Sequence, residues 1–297
     1  VNPVTPAGPA DDHSASAEPP HSLSAVVDAL VRRGVAADLA VELVEDGFVV
    51  SLGEHIVVMG ETEEALTGAQ QVVVPLGADD ILCDADLTER LCQLAARRHP
   101  DATVAVIRTA AGAPPVRLAP HGRARPLSTY LTIDRIPAAR TDPEWSVRRY
   151  RGHDRDDVTE LLVRALGAGY ESAGLAVDHR RTETFAAELL DQAGAAVTVF
   201  CLEHRGEFAG HATVIWDTDE LTGQTRPELL DMYVLEHHRG SPAAGLLTRE
   251  AVRWSLAAGH PLRGHVSTSA TGADGVLARL IRAGWRETES YWLVDLP

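Results

Sequence analysis

The chain has 297 residues, 45% of them hydrophobic and 24% charged, enough for two separate hydrophobic cores. Its net charge of −16 repels polyanions, so binding to nucleic acid would need a local arginine patch working against the global field. No apolar run approaches the roughly 18 residues of a membrane span, and no basic region followed by an apolar one opens the sequence, so no secretory signal is expected and the location expected is cytoplasmic.

Residues 1–21 are rich in Pro, Ala, Ser and Asp without apolar periodicity, the composition of a disordered tail. From Leu23 the pattern predicts a helix, then two alternating apolar strands within "VELVEDGFVVSLGEHIVVMG" and a buried strand at "QQVVVPLG". A helix follows at "DADLTERLCQLAARR", capped by Asp84 or Asp86, with Leu87, Leu91 and Leu94 along one side. Strands "ATVAVI" and "STYLTIDRI" are expected to close a first unit, residues 22–140. Two prolines and polar residues around 137–145 mark a linker.

A second unit, 141–297, reads as strand "WSVRRY", a helix from Asp156 to Leu166 capped by Asp154, and a helix at "TETFAAELLDQAG". The hairpin "AAVTVFCLEHRGEFAGHATVIW" and strand "ELLDMYV" come next. A helix over 242–259, strand "LRGHVST", a helix over 272–283 and a closing strand pair "WRETES" and "YWLVDL" complete it. Cys83, Cys92 and Cys201 show no disulfide or zinc spacing and are expected as small core residues; no metal site is expected.

Sliding the chain by 160 residues lays "QVVVPL" (71–76) over "DMYVLE" (231–236) and "LTER" (87–90) over "LTRE" (247–250), with "VEDGFVV" near "EHRGEFAG" at almost the same offset. The order of elements agrees as well, which favours two copies of one α+β unit.

The chemistry concentrates in "ELLDMYVLEHHRGSPAAGLL". An apolar strand runs into a turn, and a helix begins at Ser241-Pro242, a strong N-cap and N1 pair in any protein. The N–H groups at such a helix start are unsatisfied by the helix and point at an anion along the favourable end of its dipole.

With this strand and turn, and with the helix ending at Gly284-Trp285, residues 145–297 resemble the GNAT superfamily of acyl-CoA-dependent N-acyltransferases. The resemblance implies an α+β fold, here as tandem GNAT-like domains, each a mixed, mainly antiparallel sheet flanked by helices, the first copy degenerate. It implies that the backbone of Met232, Tyr233 and Val234 pairs with the pantetheine arm of an acyl-CoA co-substrate. Arg239, Gly240, Ser241, Ala243 and Ala244 would then wrap the pyrophosphate, and the Val234 N–H would polarise the thioester carbonyl. Two positions depart from the family pattern: Pro242 donates no N–H, and Leu280 stands where a Tyr often protonates the leaving thiolate. Tyr291 and Ser267 are possible replacements.

For the base that deprotonates the amine, Asp231 and Glu228 stand on the strand, and alternation puts them on opposite faces. Burial is expected to raise the pKa of whichever one faces inward. His237 and His238 beside the turn could contact phosphate or act as a base. In the first copy, Asp79, Asp80, Asp84 and Asp86 fall at the corresponding turn and would repel a pyrophosphate. The acceptor is expected to be a small-molecule amine chosen by residues around 165–185 and 217–226. The rival readings are an aminoacyl-tRNA-dependent amide-forming transferase, with arginines of 147–155 or 121–126 as its patch, and a non-catalytic acyl-CoA-binding module.

Overall fold

The computed structural model describes residues 22–112, 124–138, 140 and 142–297, so the expected tail over 1–21 and half of the 121–126 arginine cluster, 121–123, lie outside the described residues. Among the described residues eleven strands form one sheet in the order β1-β2-β3-β4-β11-β5-β10-β9-β8-β7-β6. In chain order, the first half contributes α1 (Leu23–Arg32), α2 (Ala37–Glu45), β1 (Val49–Leu52), β2 (His55–Glu63), β3 (Gln70–Leu76), α3 (Ala85–Arg98), β4 (Val104–Ala110) and β5 (Ala124–Ile133). The second contributes β6 (Trp145–Arg149), α4 (Arg155–Ser172), α5 (His179–Asp191), β7 (Val197–His204), β8 (Glu207–Thr218), β9 (Thr225–Val234), α6 (Ala243–Ala257), β10 (Leu262–Ser267), α7 (Ala273–Ala283) and β11 (Arg286–Asp295).

Several sequence expectations are corrected. The "VELVE" segment is the end of α2 rather than a strand, because its apolar residues fall at helical spacing, and α2 packs with α1 around Leu30, Val35 and Ala40. "WRETES" and "YWLVDL" form one long strand with two register shifts instead of a pair. Asp154 does not cap α4; both its oxygens take Arg148, and one also accepts the Arg151 N–H at 2.7 Å. Cys83 is exposed, whereas Cys92 and Cys201 are buried.

The repeat is real at the level of elements. Strand β3, helix α3 and parallel strand β4 reproduce β9, α6 and β10, and the β1–β2 hairpin corresponds to β7–β8. It is a crossed repeat, because β11 lies between β4 and β5, and β5 lies between β11 and β10. Each half thus donates its last strand across the seam, so "STYLTIDRI" closes the sheet of the other half.

Among the described residues four cores flank the sheet. In the first half, α3 covers β1–β4 through Leu91, Cys92 and Ala95, while α1 and α2 cover Val58 on β2. In the second, α6 sets Leu247, Ala251 and Val252 against Phe200, Ala212 and Val214, and α4 and α5 cover Val197, Val199 and Cys201 on the opposite face. Among the described residues no helix is long and apolar enough to cross a membrane.

Candidate active site

Strands β9 and β10 run parallel but pair over only two rungs, Glu228 with Arg263 and Leu229 with Gly264. Their counterparts β3 and β4 stay paired over four. Beyond Leu229 the second pair splays, and a cavity of about 600 Å³ opens between the diverging strands and α4. Asp231, Met232, His265 and Ser267 line it from the strands, and Leu166 and Tyr170 from α4.

Backbone direction tells which groups face the opening. The Leu235 N–H bonds to the Ala209 carbonyl on the β8 side, so by strand alternation the N–H and C=O of Val234 and Met232 point away from β8, into the splay. Tyr233 directs its backbone to β8, where a side chain at Gly210 would run into its carbonyl oxygen. The exposed part of Tyr233 is its phenol, which accepts from Arg239 at 3.3 Å beside the turn.

The turn itself is built as a helix start with vacancies. Gly240 takes φ +83°, a left-handed conformation that suits glycine. The Ser241 hydroxyl accepts the Ala243 N–H at 3.2 Å, and the Pro242 carbonyl accepts the Leu246 N–H. Between them, the N–H groups of Ala244 and Gly245 meet no acceptor among the described residues, and both residues are solvent-exposed. Two adjacent open donors on a fifteen-residue helix, with Arg239 beside them, fit a pyrophosphate. The corresponding helix start of the first half, α3, is closed instead. Asp84 already accepts the Asp86 and Leu87 N–H groups at the start of α3, and Asp79 accepts the Ala110 N–H at 2.6 Å, tying the ends of β3 and β4 together.

Both candidate bases stand on the same face of β9, contrary to simple alternation. The register shifts between Thr213 and Val214 of β8, leaving Leu230 as an extra residue, so Glu228 lies opposite Ile215 and Asp231 opposite Thr213. Their environments differ. Glu228 is buried against the Arg263 guanidinium at 2.6 Å, with His265 Nδ1 at 3.6 Å. Burial alone would push its carboxyl up, as the sequence reading expects, but His265 and Arg263 outweigh it and hold Glu228 below the ordinary range. Among the described residues Asp231 meets no guanidinium. Its Oδ2 lies 2.6 Å from Nε2 of His211, a fully buried ring whose Nδ1 has no partner among the described residues, which places the ring proton on Nε2.

His237 and His238 stack with Trp145 and His204 at one side of the turn, and burial together with the neighbouring His237 and His204 lowers the pKa of His238. Tyr291 stacks behind Tyr130 at 5.1 Å and does not line the cavity, whereas Ser267 does. Tyr130, brought across the seam by β5, lines the cavity above Arg263, whose Cζ lies 3.7 Å from its ring centroid. Burial and the charge on Glu228 raise its pKa far above that of a free phenol.

Arg263 belongs to a buried ion network at the seam. It also bonds Glu289 of β11 at 2.5 Å, Arg108 of β4 pairs with Glu289 and Asp219, and Arg226 joins both of those carboxylates. The sequence reading missed His211, Tyr130 and Arg263, which sit on strands with no motif around them. It placed acceptor-choosing residues in 165–185, which do line the cavity through α4 and Phe185. The 217–226 segment instead docks on the first half, with Leu221 buried against Leu30, Val35 and Ala40, because the halves cross over.

No protein-family model matches the sequence, and neither does any curated protein. Solved structures do match over most of the chain. A GCN5-related N-acetyltransferase from Sphaerobacter thermophilus shares 14% identity at a TM-score of 0.53, with 88% of this chain and 86% of that one covered. A GCN5-related N-acetyltransferase from Kribbella flavida shares 13% identity at 0.50, covering 93% and 94%. A GNAT-family acetyltransferase from Colwellia psychrerythraea shares 10% at 0.50, covering 82% and 81%. The splayed strand pair, the open helix start and these likenesses agree: the chain has the fold of the GCN5-related N-acetyltransferases, built as a crossed tandem repeat.

Proposed function

We propose that the chain transfers an acetyl or other acyl group from acyl-CoA to the amine of a small molecule, and that 141–297 carries the chemistry while 22–140 binds no CoA. The observation that carries this reading is the asymmetry between the repeats: β9 and β10 part after two rungs toward two open N–H donors, whereas β3 and β4 stay paired and their helix start is capped.

In this reading Ala244 and Gly245 N–H groups and Arg239 hold the pyrophosphate, with Gly240, Ser241 and Ala243 shaping the turn. Met232 and Val234 offer N–H and C=O groups to the pantetheine arm, and one of these N–H groups polarises the thioester carbonyl. Asp231, held by His211, takes the amine proton. Glu228 acts by keeping Arg263 and His265 in place. Tyr130 and Ser267 both line the cavity, and in this reading one of their hydroxyls passes a proton to the departing thiolate in the place of the missing Tyr at Leu280.

The test is thermal unfolding with acetyl-CoA, a longer acyl-CoA and charged tRNA, paired with thiol release in the presence of amines. A shift with the CoA esters and thiol release with an amine support the proposal. A shift without thiol release favours the non-catalytic binding module, and a response to charged tRNA alone overturns both.

A further inference from the structure

The turns between β2 and β3 and between β8 and β9 are one motif used twice. Glu64-Ala65-Leu66-Thr67-Gly68 and Asp219-Glu220-Leu221-Thr222-Gly223 share the pattern acid-x-Leu-Thr-Gly at an offset of 155. Each acid accepts the N–H groups two and three residues ahead: Leu66 and Thr67 at 2.9 and 2.7 Å, Leu221 and Thr222 at 3.1 and 2.9 Å. In each, the glycine takes positive φ and donates its N–H to the carbonyl of the acid.

Both turns cross the seam. Leu221 enters the α1–α2 core, and the Ala36 N–H bonds its carbonyl. Leu66 is buried beside α4 and α5, where the Asp178 N–H bonds its carbonyl and the neighbouring Glu63 pairs with Arg181 at 2.6 Å. The two places differ in charge. Asp219 is neutralised by Arg108 and Arg226, and the cavity there is only about 200 Å³. Glu64 meets an uncharged partner, the Tyr170 hydroxyl at 2.5 Å, and it lines the large cavity.

We infer that the first half's Glu64-Ala65-Leu66 turn is a wall of the second half's acceptor site and sets its specificity. The acceptor it selects is an amine with an apolar body that carries positive charge and no carboxylate or phosphate. The cavity lining contains Glu64, Glu228 and Asp231 and, among the described residues, no Arg; Glu228 is already answered by Arg263 and His265, so an anionic group on the acceptor meets the charge of Glu64 and Asp231 with no guanidinium in the lining to receive it. Leu66, Leu175, Phe185 and Leu230 supply the apolar surface. The degenerate repeat is thus retained as the substrate-selecting part of the working one. This inference rests on the acyltransferase reading for the identity of the ligand.

The test titrates the full chain with hexylamine, phenethylamine and tryptamine, and with tryptophan, which adds a carboxylate to the same indole body; CoA is titrated separately. The expected result is that at least one of the amines binds and that tryptamine binds about tenfold tighter than tryptophan. Glu64→Gln should weaken the amine about tenfold without changing CoA affinity. Leu66→Ala, which only enlarges the cavity, should shift preference toward the bulkier amines. Failure of all three amines to bind, tryptophan binding as well as tryptamine, or amine affinity indifferent to both substitutions overturns the inference. A wild-type chain that binds the amines in this manner but not CoA leaves the wall in place and overturns the acyltransferase reading instead.

Discussion

Glu228 and Arg263 are cross-strand partners where β9 and β10 begin to part, and their side chains meet at 2.6 Å with both buried. The pair fixes the apex of the cleft with charge rather than with packing, and Arg263 carries Glu289 from β11 on its other edge. Removing the cation leaves a buried carboxylate without its counter-charge. Arg263→Leu should therefore cost about 3–5 kcal/mol by urea unfolding. The double variant Arg263→Leu with Glu228→Leu should recover part of that loss, since Arg108 and Arg226 still serve Glu289. Equal destabilisation in the two variants would show that the pair contributes no coupling.

Asp231→Asn keeps the side-chain shape and its contact with His211 but removes the base. Turnover with a competent amine should fall about 10²–10⁴-fold, while CoA affinity by calorimetry stays unchanged. Glu228→Gln, by contrast, should lower stability more than turnover, and the reverse ranking would exchange the two assignments.

At the α6 start, Arg239→Glu should abolish the thermal shift caused by CoA. Pro242→Ala restores the one N–H that the turn lacks, and should tighten CoA by about 0.5–1.5 kcal/mol if the new donor reaches the phosphates. Unchanged CoA binding in Arg239→Glu would mean the turn holds no pyrophosphate.

Asp154 accepts two hydrogen bonds from Arg148 and one from the Arg151 backbone, and the Arg148 bonds above all hold its carboxyl down to about 2. A folded-state pKa below the unfolded value gives stability that is present above about pH 4 and lost as the pH falls toward 2. The difference in unfolding free energy between wild type and Asp154→Asn should be about 2 kcal/mol at pH 7 and shrink through that window. A difference independent of pH would remove the ion pair as its cause.

Much of the second half was legible because its signals are local. Ser-Pro opens α6, an apolar period runs along it, and Gly284 ends α7 at φ +103°. The side of β9 that faces the cleft was not legible, because one inserted residue, Leu230, reverses the alternation and leaves no mark in composition. The seam escaped for a different reason. Tyr130 and Glu289 are cross-strand partners 159 positions apart, and nothing local encodes such a pairing. The signal that was present and overlooked is the pair of acid-x-Leu-Thr-Gly turns, which sits at an offset of 155 while the downstream strand and helix repeat at 160.

The exchange of closing strands also sets an order on the chain's birth. Strand β4 waits for β11, whose Ser290, 181 residues further on, pairs with Thr109 and accepts its hydroxyl at the backbone carbonyl. At ribosomal rates of about 5–20 residues per second, that edge stays bare for some tens of seconds, to the order of magnitude. During this interval Arg108 stands on an open strand edge without its later partners Asp219 and Glu289, and a bare charge there discourages pairing with a neighbouring nascent chain. The arginine that joins the ion network of the finished cleft thus also guards the unfinished edge.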